Sequence, residues 1–249
     1  MDARKALVTG ASSGIGEATA LRLAGEGYSL WLTYGTREAE TLAVAEECRR
    51  RGAPDVQVSQ LDQRDSESIS RLIDEISGEW GSLDVLVNNG GVLPYRTIDE
   101  ITEEEWDFVL QTNARGTFFL TRACLALLRE ATGDRAIVNL SSLAGQVGGI
   151  LAPFHYATSK AAILAISKSF ARMLAPEGIR VNCVSPGFIS TPMTMQLDDD
   201  MRDELSAQVP LGSFGTPEDV AWIISSLVSP NARFVTGATY DINGGVRMD

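Results

Sequence analysis

The run Ala6-Leu7-Val8-Thr9-Gly10-Ala11-Ser12-Ser13-Gly14-Ile15-Gly16 decides how the rest of the chain is read. A short apolar strand ends in a turn holding three glycines, and an amphipathic stretch from Gly14 to Ala24 begins inside that turn. At such a junction, backbone amides and a helix N-terminus can hold a pyrophosphate. The glycines admit the tight turn, the close approach of a phosphate and the packing of helix on sheet. Their spacing, Gly-x-x-x-Gly-x-Gly, differs from the commoner Gly-x-Gly-x-x-Gly dinucleotide fingerprint. Its place in the first strand-helix unit favours nucleotide binding over a purely structural turn.

The same alternation continues along the chain. Apolar runs at Leu30–Leu32, Val56–Leu61, Val85–Val87, Ala136–Val138 and Arg180–Val184 are separated by stretches of helical period: Arg37–Arg50, Ser66–Ile76, Glu103–Arg129 and Tyr156–Leu174. A further helix is expected from Pro217 and a last strand over Val235–Ile242. That order predicts an α/β fold: a Rossmann-type, doubly wound parallel sheet flanked by helices, with ligands outside the carboxyl ends of the strands. The segment 187–215 breaks the alternation, apart from a short helix expected over Asp198–Ala207, and reads as a lid over the site.

The 249 residues carry 44% hydrophobic and 22% charged side chains and 23 glycines, without a composition shift, so a single domain over 1–249 is expected. The formal net charge of -12 opposes attraction to nucleic acid or to an acidic membrane surface. No segment approaches membrane-spanning length and Met1–Lys5 runs directly into the first strand, so a cytoplasmic location is the expectation. Cys48, Cys124 and Cys183 are scattered and not grouped with histidine, which points to buried thiols rather than disulfides or a metal site.

After the second strand, where an NAD-binding protein usually carries an acid for the ribose diol, the chain reads Thr33-Tyr34-Gly35-Thr36-Arg37. Arg37, with hydroxyls at Tyr34 and Thr36, suits a 2'-phosphate and favours NADP(H) over NAD(H). Farther on, Tyr156 and Lys160 stand four residues apart. On a helix they share a face, where the ammonium would favour the phenolate and lower the tyrosine pKa. A tyrosine tuned in this way exchanges a proton with a carbonyl or alcohol.

Taken in order, Thr9–Gly16, Asp62, the run from Asn88 through Gly90 to Gly91, Asn113, Ser142, Tyr156 with Lys160, and Pro186-Gly187 followed by Thr191 resemble the short-chain dehydrogenase/reductase family over nearly the whole chain. The resemblance implies Tyr156 as general acid/base, with Lys160 lowering its pKa and holding the nicotinamide ribose. It further implies Ser142 on the substrate oxygen and Asn113 holding a water that links Lys160 to solvent. On the cofactor side it implies the turn Gly10, Ser12, Ser13, Gly14, Ile15 and Gly16, with Asp62 at the adenine amino group, Asn88 and Gly90 on the adenosine side, and Pro186, Gly187, Ile189 and Thr191 near the nicotinamide.

The general pattern is similar to that of the 3-oxoacyl-[acyl-carrier-protein] reductases. The chain departs from it in Gly90 for the usual alanine and in a separation of 14 positions between Ser142 and Tyr156 (156 minus 142), one more than is common. The longer loop Leu143–His155 makes a pocket wall from Gly148, Ile150, Pro153 and Phe154, and His155 reads as wall or packing. Glu177 and the negative charge work against an acidic carrier protein. The expected activity is therefore an NADPH-dependent carbonyl reductase or alcohol dehydrogenase acting on a free small molecule. Carrier-bound 3-oxoacyl reduction is the alternative, and a non-catalytic NADP sensor the alternative of another class. Leu93, Phe154, Phe188, Met193 and Met195 suggest a moderately hydrophobic substrate. The apolar surface around Phe118, Phe119, Leu120, Leu127, Ile166 and Phe170 suggests homo-oligomerisation, a tetramer by the resemblance.

Overall fold

The computed structural model describes residues 3–149, 152–192, 194 and 198–248. Among these, Lys5–Val8 (β1), Ser29–Tyr34 (β2), Val56–Gln60 (β3), Val85–Asn88 (β4), Arg135–Leu140 (β5), Ile179–Pro186 (β6) and Thr239–Ile242 (β7) lie parallel in one sheet, in the order β3-β2-β1-β4-β5-β6-β7. The helices are Gly14–Gly25 (α1), Glu38–Arg50 (α2), Ser66–Glu79 (α3), Glu103–Leu110 (α4), Gly116–Glu130 (α5), Leu143–Val147 (α6), Phe154–Leu174 (α7), Asp199–Ala207 (α8) and Pro217–Val228 (α9).

Side-chain alternation assigns the two faces. Ala6 and Val8 of β1 face one core layer with α1, α2 and α9, whereas Leu7 faces the other with α3, α5 and α7. Because helices cover both faces, the central strands are largely apolar and β6 is buried at every position, its Arg180, Asn182 and Ser185 included. Full burial of a side chain such as Leu7, Leu86 or Ile137 stabilises the fold by about 2 kcal/mol each. Local chemistry starts the helices where the sequence indicates: at α9 the Thr216 hydroxyl accepts from Asp219 N (3.3 Å) while Asp219 Oδ2 accepts from Thr216 N (2.7 Å), with Pro217 at the first position.

The chain runs outward from β1 in one direction through β2 and β3, then returns to β4 on the other side. This reversal opens a crevice at the carboxyl ends of β1 and β4, the place where α/β sheets bind ligands.

Three expectations change. The single helix Glu103–Arg129 is interrupted by a π-helical turn over Gln111–Arg115. Gly116 lets it pass Gln63, whose Cβ would lie 2.7 Å from a Cβ added at the glycine. The extra residue in that turn brings Asn113 to full burial. The stretch Leu143–His155 contains α6, whose five residues are too few to show a helical period. The last strand is shorter than Val235–Ile242, because Val235 N closes a turn on Ala232 O and Gly237 sits at φ 74°.

At the amino ends of the strands, opposite the crevice, Asp134 accepts two bonds from the Arg180 guanidinium, Nε at 3.0 Å and Nη2 at 2.8 Å. Arg4 reaches the same carboxylate at 3.3 Å and also donates to the Tyr28 hydroxyl.

Candidate active site

Each glycine of the turn has a separate physical requirement. Gly10 (φ 63°) would, with a Cβ, stand 2.9 Å from Gly90 Cα, and a Cβ on Gly16 would come within 2.2 Å of Gly10 O. Gly14 (φ 59°) packs on Thr191, so the segment after β6 closes on the turn. Ser13 is the N-cap of α1 but its side chain does not cap the helix, which leaves the first amides available to an anion. Its hydroxyl instead accepts from the Arg37 guanidinium. That contact joins the glycine turn to the end of β2 and fits the 2'-phosphate of NADP(H).

One cleft of about 1030 Å³ runs from this point across the switch crevice. Among the expected cofactor residues, Gly10, Ser12, Ser13, Gly14, Ile15, Tyr34, Thr36, Arg37, Asp62, Gly90, Pro186, Gly187, Ile189 and Thr191 line it, together with Ser142, Tyr156 and Lys160. Gly16 lies beneath the turn as a packing position. Tyr34, the last residue of β2, is influenced by the helix that follows: desolvation and Glu38, the first residue of α2, raise its pKa. Asp62 is held by Arg64, whose Nε and Nη2 reach its two oxygens at 3.0 and 2.6 Å, and that contact keeps the carboxyl below its usual range.

Asn88 needs correction. It does not line the cleft; its side chain turns into the layer beneath the sheet, donating to Thr121 Oγ1 (2.9 Å) and Asn139 Oδ1 (2.7 Å). Strand alternation explains this, since consecutive residues face opposite ways. The neighbouring Asn89 faces the turn instead, donating to Thr9 O (2.8 Å) and Gly10 O (3.0 Å), while Thr9 Oγ1 accepts from the amides of Asn89 (3.0 Å) and Gly90 (2.8 Å). Both residues stand inside the two sequence runs already singled out, so the available signal was their position beside Gly10 and Gly90.

The reactive end is built by α6 and α7. Ser142 caps α6, accepting from Ala144 N at 3.2 Å, and its hydroxyl stands close enough to the Tyr156 phenol to pull that phenol's pKa downward. Gly145 permits this approach, because a Cβ there would lie 2.6 Å from Lys160 C and 2.7 Å from Ala161 N. Gly145→Ala is expected to push α6 off α7, separate Ser142 from Tyr156 and lower kcat by roughly tenfold or more; steady-state kinetics on the purified variant checks this.

Burial pushes the Tyr156 phenol up to about 12, against the pull of the Ser142 hydroxyl and with a small addition from nearby Tyr95. Burial also brings the Lys160 ammonium down to about 8. The expected lowering of the tyrosine pKa by Lys160 is therefore not what this structure holds. Lys160 Nζ donates to Leu140 O at 2.8 Å and lies 5.7 Å from the phenol ring centroid, so desolvation outweighs its charge. Below pH about 8 the pair is a neutral phenol beside an ammonium.

Asn113 lies behind the cleft wall. Its Oδ1 accepts from Val92 N (2.8 Å), and its Nδ2 donates to Val92 O (2.9 Å) and Ser159 Oγ (3.0 Å). It meets Lys160 across Gly91, where an added Cβ would stand 3.1 Å from Asn113 Oδ1 and 3.7 Å from Lys160 Nζ.

Val92, Leu93, Pro94, Tyr95, Val147 and Phe188 supply the apolar wall near Tyr156. Leu93, Phe188 and Gly148 line it as expected, but Pro153 and Phe154 do not; Phe154 points outward from the first turn of α7. Ile150, Met193 and Met195 fall outside the described residues. His155 does not line the cleft; it is fully buried, with Nε2 3.3 Å from Glu105 Oε1 of α4.

The family model described as Enoyl-(Acyl carrier protein) reductase matches residues 10–247. The chain is 40% identical over 246 residues to 3-oxoacyl-[acyl-carrier-protein] reductase FabG of Staphylococcus aureus (strain Mu50 / ATCC 700699), covering 98% of each chain. It is 35% identical to (3R)-3-hydroxyacyl-CoA dehydrogenase of Mus musculus over 253 residues, covering 98% of this chain and 96% of that one. Among solved structures, the short-chain dehydrogenase/reductase described as a glucose/ribitol dehydrogenase from Brucella melitensis is similar at a TM-score of 0.90 and 34% identity, covering 99% of this chain and 97% of that one. A dehydrogenase/reductase from Sinorhizobium meliloti 1021 is similar at a TM-score of 0.92 and 33% identity, covering 100% of this chain and 96% of that one.

Proposed function

Because the chain belongs to the short-chain dehydrogenase/reductase family and is an NAD(P)-dependent oxidoreductase acting between CH-OH and C=O, we propose that it is an NADPH-dependent reductase of a free, moderately apolar ketone, working in reverse as an alcohol dehydrogenase. The observation that carries this reading is that Ser142, Tyr156 and Lys160 line the same cleft as the glycine turn. A bound nicotinamide would supply the hydride. Tyr156 delivers the proton to the substrate oxygen, which Ser142 orients and whose developing charge it stabilises. Lys160 would hold the nicotinamide ribose, and its ammonium steadies the phenolate left after proton transfer until solvent reprotonates it, with Asn113 fixing the wall beside it. Arg37 and Ser13 would hold the 2'-phosphate, and the first amides of α1, which the Ser13 side chain does not cap, would hold the pyrophosphate.

Two features favour a free substrate over an acidic carrier protein. Arg129 is neutralised by Glu177, which receives Nε and Nη2 at 2.7 and 2.9 Å. The helix α8, whose Leu205 lines the cleft, carries Asp199, Asp200, Asp203 and Glu204 against the single Arg202. Carrier-bound 3-oxoacyl reduction is the second reading, favoured by the name of the 40% identical relative. A panel of ketones, diketones, keto esters, ketosugars and a 3-oxoacyl thioester, free and carrier-bound, is assayed with NADPH and with NADH. Turnover of free ketones with NADPH is expected; turnover confined to the carrier-bound thioester would replace the first reading with the second. No turnover by a protein that binds NADPH would overturn both.

Arg37→Ala is expected to raise the KM for NADPH roughly ten- to a hundredfold, from the loss of charge-assisted hydrogen bonds, and to leave the KM for NADH within a few-fold. Equal losses would remove the 2'-phosphate assignment.

The segment 187–215 acts as a lid in this reading. Its ends are pinned together by Ser190 N to Gly215 O (2.9 Å) and Gly215 N to Phe188 O (3.0 Å), and α8 between them lays the buried Leu205 against the cleft. A homotetramer is part of the same proposal. Phe118 and Met173 stand exposed on α5 and α7, and Trp222 and Phe234 on the face near β7, which gives two separate apolar surfaces. Light scattering tests it, and a monomer at micromolar concentration would refute it.

A further inference from the structure

Helix α7, which carries Tyr156, begins without the usual cap. Pro153 is its N-cap and has no side-chain acceptor for the orphan amides of the first turn. The amide of Tyr156 itself is taken by the preceding side chain: His155 Nδ1 accepts it at 3.0 Å. With the Nδ1 lone pair used in this way, the proton of a neutral imidazole sits on Nε2, which faces Glu105 Oε1 at 3.3 Å. The other oxygen of Glu105 receives Arg96 Nε at 3.1 Å, and Arg96 Nη1 donates to Tyr95 O at 2.8 Å. The imidazole is 0% exposed, and Trp106 of α4 stacks on it with ring centroids 6.4 Å apart.

Resting on the reductase reading, we infer that His155 is a positioning residue for Tyr156, and that Glu105 and Arg96 extend the same unit to the substrate wall. The Nδ1 bond fixes the backbone from which the phenol projects. Glu105 fixes the tautomer and plane of the ring, as a carboxylate does for a working histidine in other sites. Arg96 follows directly on the Val92–Tyr95 wall, so the wall and the proton donor are held at one separation through a polar chain that runs from the buried imidazole out to the exposed Arg96, rather than through apolar contact alone. Proton donation requires alignment to a fraction of an ångström, so freeing this backbone lowers turnover without touching the distant phosphate end of the cofactor site.

The two ring nitrogens can be tested separately. Asn places an acceptor where Nδ1 stands, and Gln places a donor where Nε2 stands. His155→Asn is expected to keep kcat within about threefold, His155→Gln to lose roughly tenfold, and His155→Phe ten- to a hundredfold, all with NADPH affinity by fluorescence titration within a few-fold of wild type. A substrate-free measurement accompanies the kinetics: amide hydrogen exchange at Tyr156 by NMR is expected to be slow in wild type and His155→Asn, and fast in His155→Gln and His155→Phe. Equal kcat across the three variants, or exchange that does not separate Asn from Gln, overturns the inference. So does a kcat loss that follows a fall in Tm and in NADPH affinity. A wild-type protein that turns over nothing sinks the reductase reading instead, while the exchange experiment still decides whether His155 caps Tyr156.

Discussion

Tyr156→Phe is expected to lower kcat by between about a hundred- and ten-thousandfold, the range a positioned general acid contributes, while NADPH affinity stays within a few-fold of wild type. The substitution removes only the hydroxyl. The ring keeps its place one turn before Lys160, and Ser142 keeps its bond to Ala144 N at 3.2 Å, so α6 and α7 have no reason to move. Turnover falls because the proton donor beside Ser142 is gone. Ser142 is a far weaker acid, and Lys160 donates to Leu140 O at 2.8 Å. Single-turnover kinetics with saturating NADPH separates the two quantities. Near-normal turnover would sink the assigned mechanism, and an equal loss in cofactor affinity would make Tyr156 a structural residue.

Asp134→Ala is expected to destabilise the fold by about 3 to 5 kcal/mol, lowering Tm by roughly 6 to 20 °C, with kcat at low temperature close to wild type. The effect comes from what remains rather than from the attraction itself. The Arg180 side chain is 7% exposed, and without Asp134 its charge keeps only neutral carbonyls, such as Leu227 O at 2.8 Å and Ser229 O at 3.3 Å. Buried ion pairs contribute little net stability when complete but are expensive to break on one side. A thermal melt of the purified variant beside wild type reads it. A shift smaller than about 2 °C would mean that Arg180 relaxes to solvent at little cost.

The parts of the fold that the sequence made legible are those set by near neighbours in the chain. Apolar runs at Ala6–Val8 and Ala136–Val138 announce strands, the glycine turn announces the first crossing from strand to helix, and Thr216-Pro217 announces the start of α9. The misreadings have a common form. The π-helical turn at Gln111–Arg115 leaves the apolar period of the flanking helices intact, so nothing in the pattern marks it; the close approach of Gly116 to Gln63 from another part of the chain does. Asn88 and Asn89 are identical in type and adjacent, and only the placement of β4 beside β1 and β5 decides which of them turns toward the cleft.

The same division runs through the candidate site. From sequence alone came the order of strands and helices, the phosphate-binding character of the turn, the 2'-phosphate candidate Arg37 and the four-residue spacing of Tyr156 and Lys160, because each is a property of a few consecutive residues. Only the tertiary structure decided that Lys160 is drawn to Leu140 O, that burial raises the tyrosine pKa rather than the lysine lowering it, and that His155 finds its acid in Glu105, 50 positions away. Desolvation and partner choice depend on which distant segments enclose a side chain, and no local pattern carries that information.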